Sequence, residues 1–141
     1  MRPLFSVIIV MSILISSISC KKDGGTDSSS ISSPFTVKYE VTANKPITNS
    51  GGFQYTNSAM GQVVDFNPTL PYTRTVTVTS TNRPYLLLLY GTGVQMSSAG
   101  NVTGKIFING AEKTSVTIPV TDINQSGIFL SGILDVKYVV Q

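Results

Sequence analysis

Beyond Pro34 the chain alternates apolar and polar side chains with a period of two. Phe35, Val37, Tyr39 and Val41 fall on one face and Thr36, Lys38, Glu40 and Thr42 on the other, which predicts a half-buried strand over 35–42. Shorter runs predict strands over 53–57 and 62–66. The segment 73–79 is β-branched at nearly every position, which favours strand over helix. Tyr85–Tyr90 reads as a further strand, and 105–108 and 114–118 flank the dipeptide Asn109-Gly110. That dipeptide is a strong hairpin signal, because both central positions of a type I′ turn take positive φ. Leu134, Val136, Tyr138 and Val140 mark a closing strand. Asn67-Pro68, Leu70-Pro71, Asn82-Arg83-Pro84 and Gly91-Thr92-Gly93 separate these runs, and no sustained helical period follows residue 33. Seven or eight short strands over 34–141 predict an all-β domain, an immunoglobulin-like β-sandwich. A small β-barrel is the alternative that periodicity does not distinguish.

The pattern before Pro34 is different. Met1 and Arg2 give a positive start, an apolar run extends from Leu4 to Ile15, and Ser16, Ser17, Ile18 and Ser19 lead to Cys20. This is the order of a secretory signal peptide over 1–19, and the apolar run is shorter than the roughly 20 residues that span a bilayer. The Ser19–Cys20 junction resembles the lipobox of bacterial lipoproteins, with Ser19 in its small position and Ser17 where an aliphatic residue is preferred. The resemblance implies cleavage between Ser19 and Cys20 and attachment to the membrane through a lipidated Cys20. Lys21 stands where many enteric lipoproteins kept at the inner membrane carry Asp. The expected location is therefore the cell envelope, at the outer membrane of a Gram-negative bacterium. Residues 20–33 are the expected tether: 21–33 are rich in Gly and Ser, with almost nothing to bury, and a coil of that composition reaches roughly 20 Å.

Composition narrows the chemistry. The 141 residues include no His, no Trp and one Cys. Without His there is no imidazole base, no Ser-His-Asp or Cys-His unit and no His-ligated metal. One Cys permits neither an intramolecular disulfide nor a thiolate zinc site. Charged residues make up 12% of the chain, and Lys38, Lys45, Arg74, Arg83, Lys105, Lys113 and Lys137 are scattered, which gives no nucleic-acid footprint. The carboxylates Glu40, Asp65, Glu112, Asp122 and Asp135 fall on separate predicted elements, without acid–base spacing. Asp122-Ile123-Asn124-Gln125-Ser126 lacks the Gly and the distal Glu of a helix-loop-helix calcium loop, and reads as a turn in which Asp122 bonds its own backbone. Gly91-Thr92-Gly93 lacks the Lys-Ser/Thr ending of a phosphate loop. The expectation is a non-enzymatic chain with no cofactor and no metal.

Leu86, Leu87, Leu88 and Leu89 are the remaining candidate site. They belong either to a central strand covered on both faces or to a strand with one leucine pair facing outward, as a patch for lipid or a partner protein. Four stretches resemble the MmpS family: 35–42, 53–57, Leu70-Pro71-Tyr72 with the alternating run to Val78, and Val102–Gly110. Those proteins are small membrane-anchored accessories of lipid transporters, with an extracytoplasmic β-sandwich. The resemblance implies a β-sandwich held at the envelope beside a transport protein or a lipid-like ligand, with a lipidated Cys20 in place of the family's transmembrane helix. The alternative function is a structural or surface-interaction module, adhesin-like in character.

Overall fold

Eleven strands and no helix form the described part of the chain, residues 30–141 of a computed structural model. The signal peptide, the Ser19–Cys20 junction and Cys20 lie outside the described residues. In chain order the strands are β1 (Phe35–Ala43), β2 (Ile47–Asn49), β3 (Gly52–Thr56), β4 (Gln62–Phe66), β5 (Tyr72–Val78) and β6 (Tyr85–Thr92). They continue as β7 (Gln95–Met96), β8 (Gly100–Ile108), β9 (Ala111–Ile123), β10 (Phe129–Ser131) and β11 (Leu134–Val140). Pairing is antiparallel throughout, in a seven-stranded sheet ordered β2-β7-β10-β9-β8-β1-β5 and a four-stranded sheet ordered β11-β6-β3-β4. The two sheets pack face to face, one of them curled into a half-barrel, as a β-sandwich.

The period-two pattern fills the space between the sheets. Phe35, Val37, Tyr39 and Val41 of β1 are buried against Phe53, Tyr85, Leu87, Leu89, Leu134 and Val136 of the smaller sheet. Three aromatic pairs cross the interface, Phe35–Tyr85, Tyr39–Tyr55 and Phe53–Tyr72, with ring centroids 6.2, 5.6 and 5.1 Å apart. Such offset and edge geometries suit the ring quadrupoles. A buried phenol must also place its hydroxyl. Tyr39 donates to the Thr56 carbonyl at 2.8 Å and Tyr85 to the Asn57 carbonyl at 2.7 Å, so both pin the β3–β4 turn. Among the described residues no buried side-chain polar atom lacks a partner.

The Asn109-Gly110 hairpin between β8 and β9 forms as expected, with φ of 50° and 83°. Asn109 also accepts from the Thr36 amide through Oδ1 at 2.9 Å and donates from its own amide to the Thr36 carbonyl. The turn is thereby fastened to β1. Where seven or eight strands were expected there are eleven, the additional ones being β2, β7 and β10. All three lie side by side at one edge of the larger sheet. They have two or three residues each, too few for alternation to register.

The tail of the expected tether belongs to the domain. Ile31 packs on the core, and its carbonyl accepts from Arg83 Nη2 at 2.9 Å. Ser33 accepts from the same nitrogen and donates to the Ser80 carbonyl at 2.6 Å. The Arg83 guanidinium also lies 5.3 Å from the centre of the Phe35 ring.

Candidate functional site

The two sheets present unlike outer surfaces. On the seven-stranded sheet the outward row of β5 is Thr73, Thr75 and Thr77, and that of β1 is Thr36, Lys38, Glu40 and Thr42. Lys38 pairs with Glu40 at 3.0 Å and lies 4.1 Å from the centre of the Phe107 ring. Lys105, opposite Glu40 in register, pairs with Glu112 at 2.8 Å. Around β1, β5 and β8 this surface pairs its charges and is largely hydroxylated, while Ile123 at the end of β9 is 61% exposed.

The four-stranded sheet carries apolar groups outside as well as inside. In β6 the alternation buries Tyr85, Leu87 and Leu89 completely and turns Leu86, Leu88, Tyr90 and Thr92 outward. Leu87 and Leu89 therefore drop out of the surface patch expected over 86–89, because they fill the core. The full-coverage alternative also fails, since Leu86 is 49% exposed while Leu88 is half-buried. Leu86 is opposite the exposed Val139 of β11, and Met60 is exposed in the β3–β4 turn. At the other end of the same surface Phe66 is 81% exposed, with Val64 and Ile133 also exposed. Phe66 and Val64 flank Gly52, where a Cβ would meet each at the ordinary contact distance of 3.7 Å.

The sequence signal for this surface was present in Gln62-Val63-Val64-Asp65-Phe66, apolar on both alternating faces. Which face turns inward depends on a partner outside the run. Asp65 Oδ2 accepts from the Tyr72 hydroxyl at 2.9 Å and from Arg74 Nε at 2.6 Å. Those bonds join β4 to β5, the free edges of the two sheets, and leave Val64 and Phe66 outside. The Arg74 bond, aided by that from Tyr72, holds the Asp65 carboxyl below the usual carboxylate range. Burial, and then the neighbouring carboxylate, push the Tyr72 phenol up.

The remaining polar candidates are dispersed. Asp135 pairs with Lys137 on its own strand at 2.6 Å, so four of the five domain carboxylates sit in separate surface ion pairs. Among the described residues no group of three or more His, Cys, Asp and Glu could hold a metal. Asp122 lies within β9, opposite Leu130 and one residue before the strand ends, rather than closing the turn after it. That turn is made by Asn124, whose Oδ1 accepts from the Ser126 and Ile128 amides at 2.9 and 3.0 Å. An open cleft of about 430 Å³ between β2 and the β4–β5 loop is lined by Ile47, Asn49, Asn67, Pro68 and Leu70 together with small hydroxylated residues, and bears no ionisable side chain. The feature that sets this molecule apart from an evenly polar sandwich is thus the outer surface of the four-stranded sheet. No protein-family model matches the chain, and no curated protein matches it significantly.

Proposed function

We propose that this chain is a lipid-anchored, non-enzymatic binding module of the bacterial cell envelope. It is attached through Cys20 at the outer membrane, and its partner is another envelope protein. One observation carries the reading: Phe66 stands 81% exposed with Val64 of the same strand on the outer surface of the four-stranded sheet. A phenyl ring left in water next to a second exposed apolar side chain gives a partner an anchor to bury. The resemblance to MmpS-like accessories makes the partner a transport protein that handles lipid-like molecules. The densely filled space between the sheets supports assisting such a partner rather than carrying the lipid within the core.

A second reading, a structural or adhesin-like surface module, draws on the hydroxyl-rich outer surface of the larger sheet and on β5, which has a neighbour on one side only. An unpaired edge strand can accept a strand from another protein. Photo-crosslinking in intact cells separates the two. With a benzophenone amino acid replacing Phe66 or Thr75, the first reading gives one dominant protein adduct from position 66 and none from 75. An adduct from 75 alone supports the second, and none from either removes the binding function. Cys20→Ser tests the anchor, because the variant should lose palmitate incorporation.

A further inference from the structure

The apolar residues on the four-stranded sheet form two groups at opposite ends of its strands. Phe66 and Val64 stand on β4 toward the end marked by the pairing of Gly52 with Phe66 and Thr92, and Ile133 lies at that end across the sheet, ahead of β11. Met60, Leu86 and Val139 stand at the other, where β6 begins and β11 finishes. Leu86 to Thr92 is six residues of extended chain, so the groups are about 20 Å apart.

The chain enters the domain at the second end. Ser33 and Ile31 are held there by Arg83, two residues before β6, and Phe35 at the head of β1 packs on Tyr85. Ten residue steps separate Cys20 from Ser30. A chain of that length and Gly/Ser composition spans about 17 Å. A domain of this size is about 34 Å across, given its expected radius of gyration of about 13 Å. At that mean span an anchor at Cys20 places the Met60–Leu86–Val139 end nearer the bilayer than the Phe66 end, which only a fully extended tether would bring equally close. The ionic groups flanking that apolar tip in sequence and register are Arg83, held in the clasp on Ile31 and Ser33, and the Lys137–Asp135 pair, so no uncompensated carboxylate borders it there. Exposed apolar side chains free of an unpaired acidic neighbour suit the interfacial boundary of a bilayer.

We infer that Met60, Leu86 and Val139 form a lipid-contacting tip, which rests the domain on the membrane that holds its anchor and points Phe66 outward. This inference rests on the lipid-anchor reading. The experiment uses the full lipoprotein in vesicles of phosphatidylethanolamine and phosphatidylglycerol. In the mature chain Cys20 is acylated, so Leu86→Cys or Phe66→Cys supplies a single free thiol for an environment-sensitive fluorophore. Brominated lipids should quench the label at 86 several-fold more than the label at 66. Equal, weak quenching at both positions in protein that floats with the vesicles overturns the tip and leaves the anchor standing. A label at 86 that is shielded from iodide but untouched by brominated lipid also overturns it, in favour of a protein contact there. Absence of palmitate on the unsubstituted chain, together with failure to float, overturns the anchor reading and the tip with it.

Discussion

Phe53 lies so close over Gly91 that a Cβ on the glycine would meet its ring at 2.6 and 2.7 Å. The ring is buried between the sheets and also packs on Tyr72, so it has no free direction in which to yield. Gly91→Ala should destabilise the domain by about 1–3 kcal/mol, the usual cost of overpacking a dense core. A urea titration followed by tyrosine fluorescence measures it. Gly132→Ala is the control, since a Cβ there meets nothing within 4 Å, and its effect should stay within about 0.5 kcal/mol.

At the scale of single elements the β8–β9 hairpin offers a cleaner separation of causes. Asn109 supplies both a left-handed backbone and a side-chain acceptor for the Thr36 amide. Asn109→Ala keeps a Cβ at positive φ but loses the side-chain oxygen that makes Asn tolerant of that backbone and bonds Thr36, and should cost about 1–2 kcal/mol. Asn109→Gly keeps the backbone and loses only the bond, so its denaturation midpoint should lie between those of Asn109→Ala and the unsubstituted chain. This hairpin was legible in the sequence because its two residues carry their own conformational preference. So were β1, β5, β6 and β11, whose alternation runs long enough to define a face. The short β2, β7 and β10 were not, because their pairing is set by neighbours far along the chain. The candidate surface was half legible. Four leucines in a row announced an apolar strand, yet alternation alone left both pairs eligible to face outward. Burial of Leu87 and Leu89 follows from the partners that β3 and β11 bring to β6. Phe66 went unremarked because the inward turn of Asp65 depends on Tyr72 and Arg74 across the seam.

For the whole molecule, the missing imidazole leaves a mark on the pH dependence of stability. With no His and with Cys20 outside the domain, no side chain there ordinarily titrates between the carboxylates and the tyrosines and lysines. Asp65 and Glu112 are held low by Arg74 and Lys105, so the stability they add is present above about pH 4 and is lost as pH falls through their depressed folded values. Tyr39, Tyr72 and Tyr85 are pushed up chiefly by burial, so the stability they add is complete below about pH 10 and is lost as pH rises toward their raised folded values. Denaturation midpoints should therefore be flat between about pH 5 and 9 and fall on both sides. Asp65→Asn should blunt the acid limb and, because that carboxylate also helps to raise Tyr72, weaken the alkaline limb in part, leaving the share of Tyr39 and Tyr85.

The clasp of Arg83 on Ile31 and Ser33 also has a mechanical meaning. A pull on the chain ahead of Ser30, with the far end of the sandwich held, passes through that clasp into β1. This strand is bonded along its length to β5 on one side and to β8 on the other. The force runs parallel to the strand, so both ladders are strained together in shear instead of parting rung by rung, and a domain stretched between a bilayer and a partner meets the tension at a doubly supported strand.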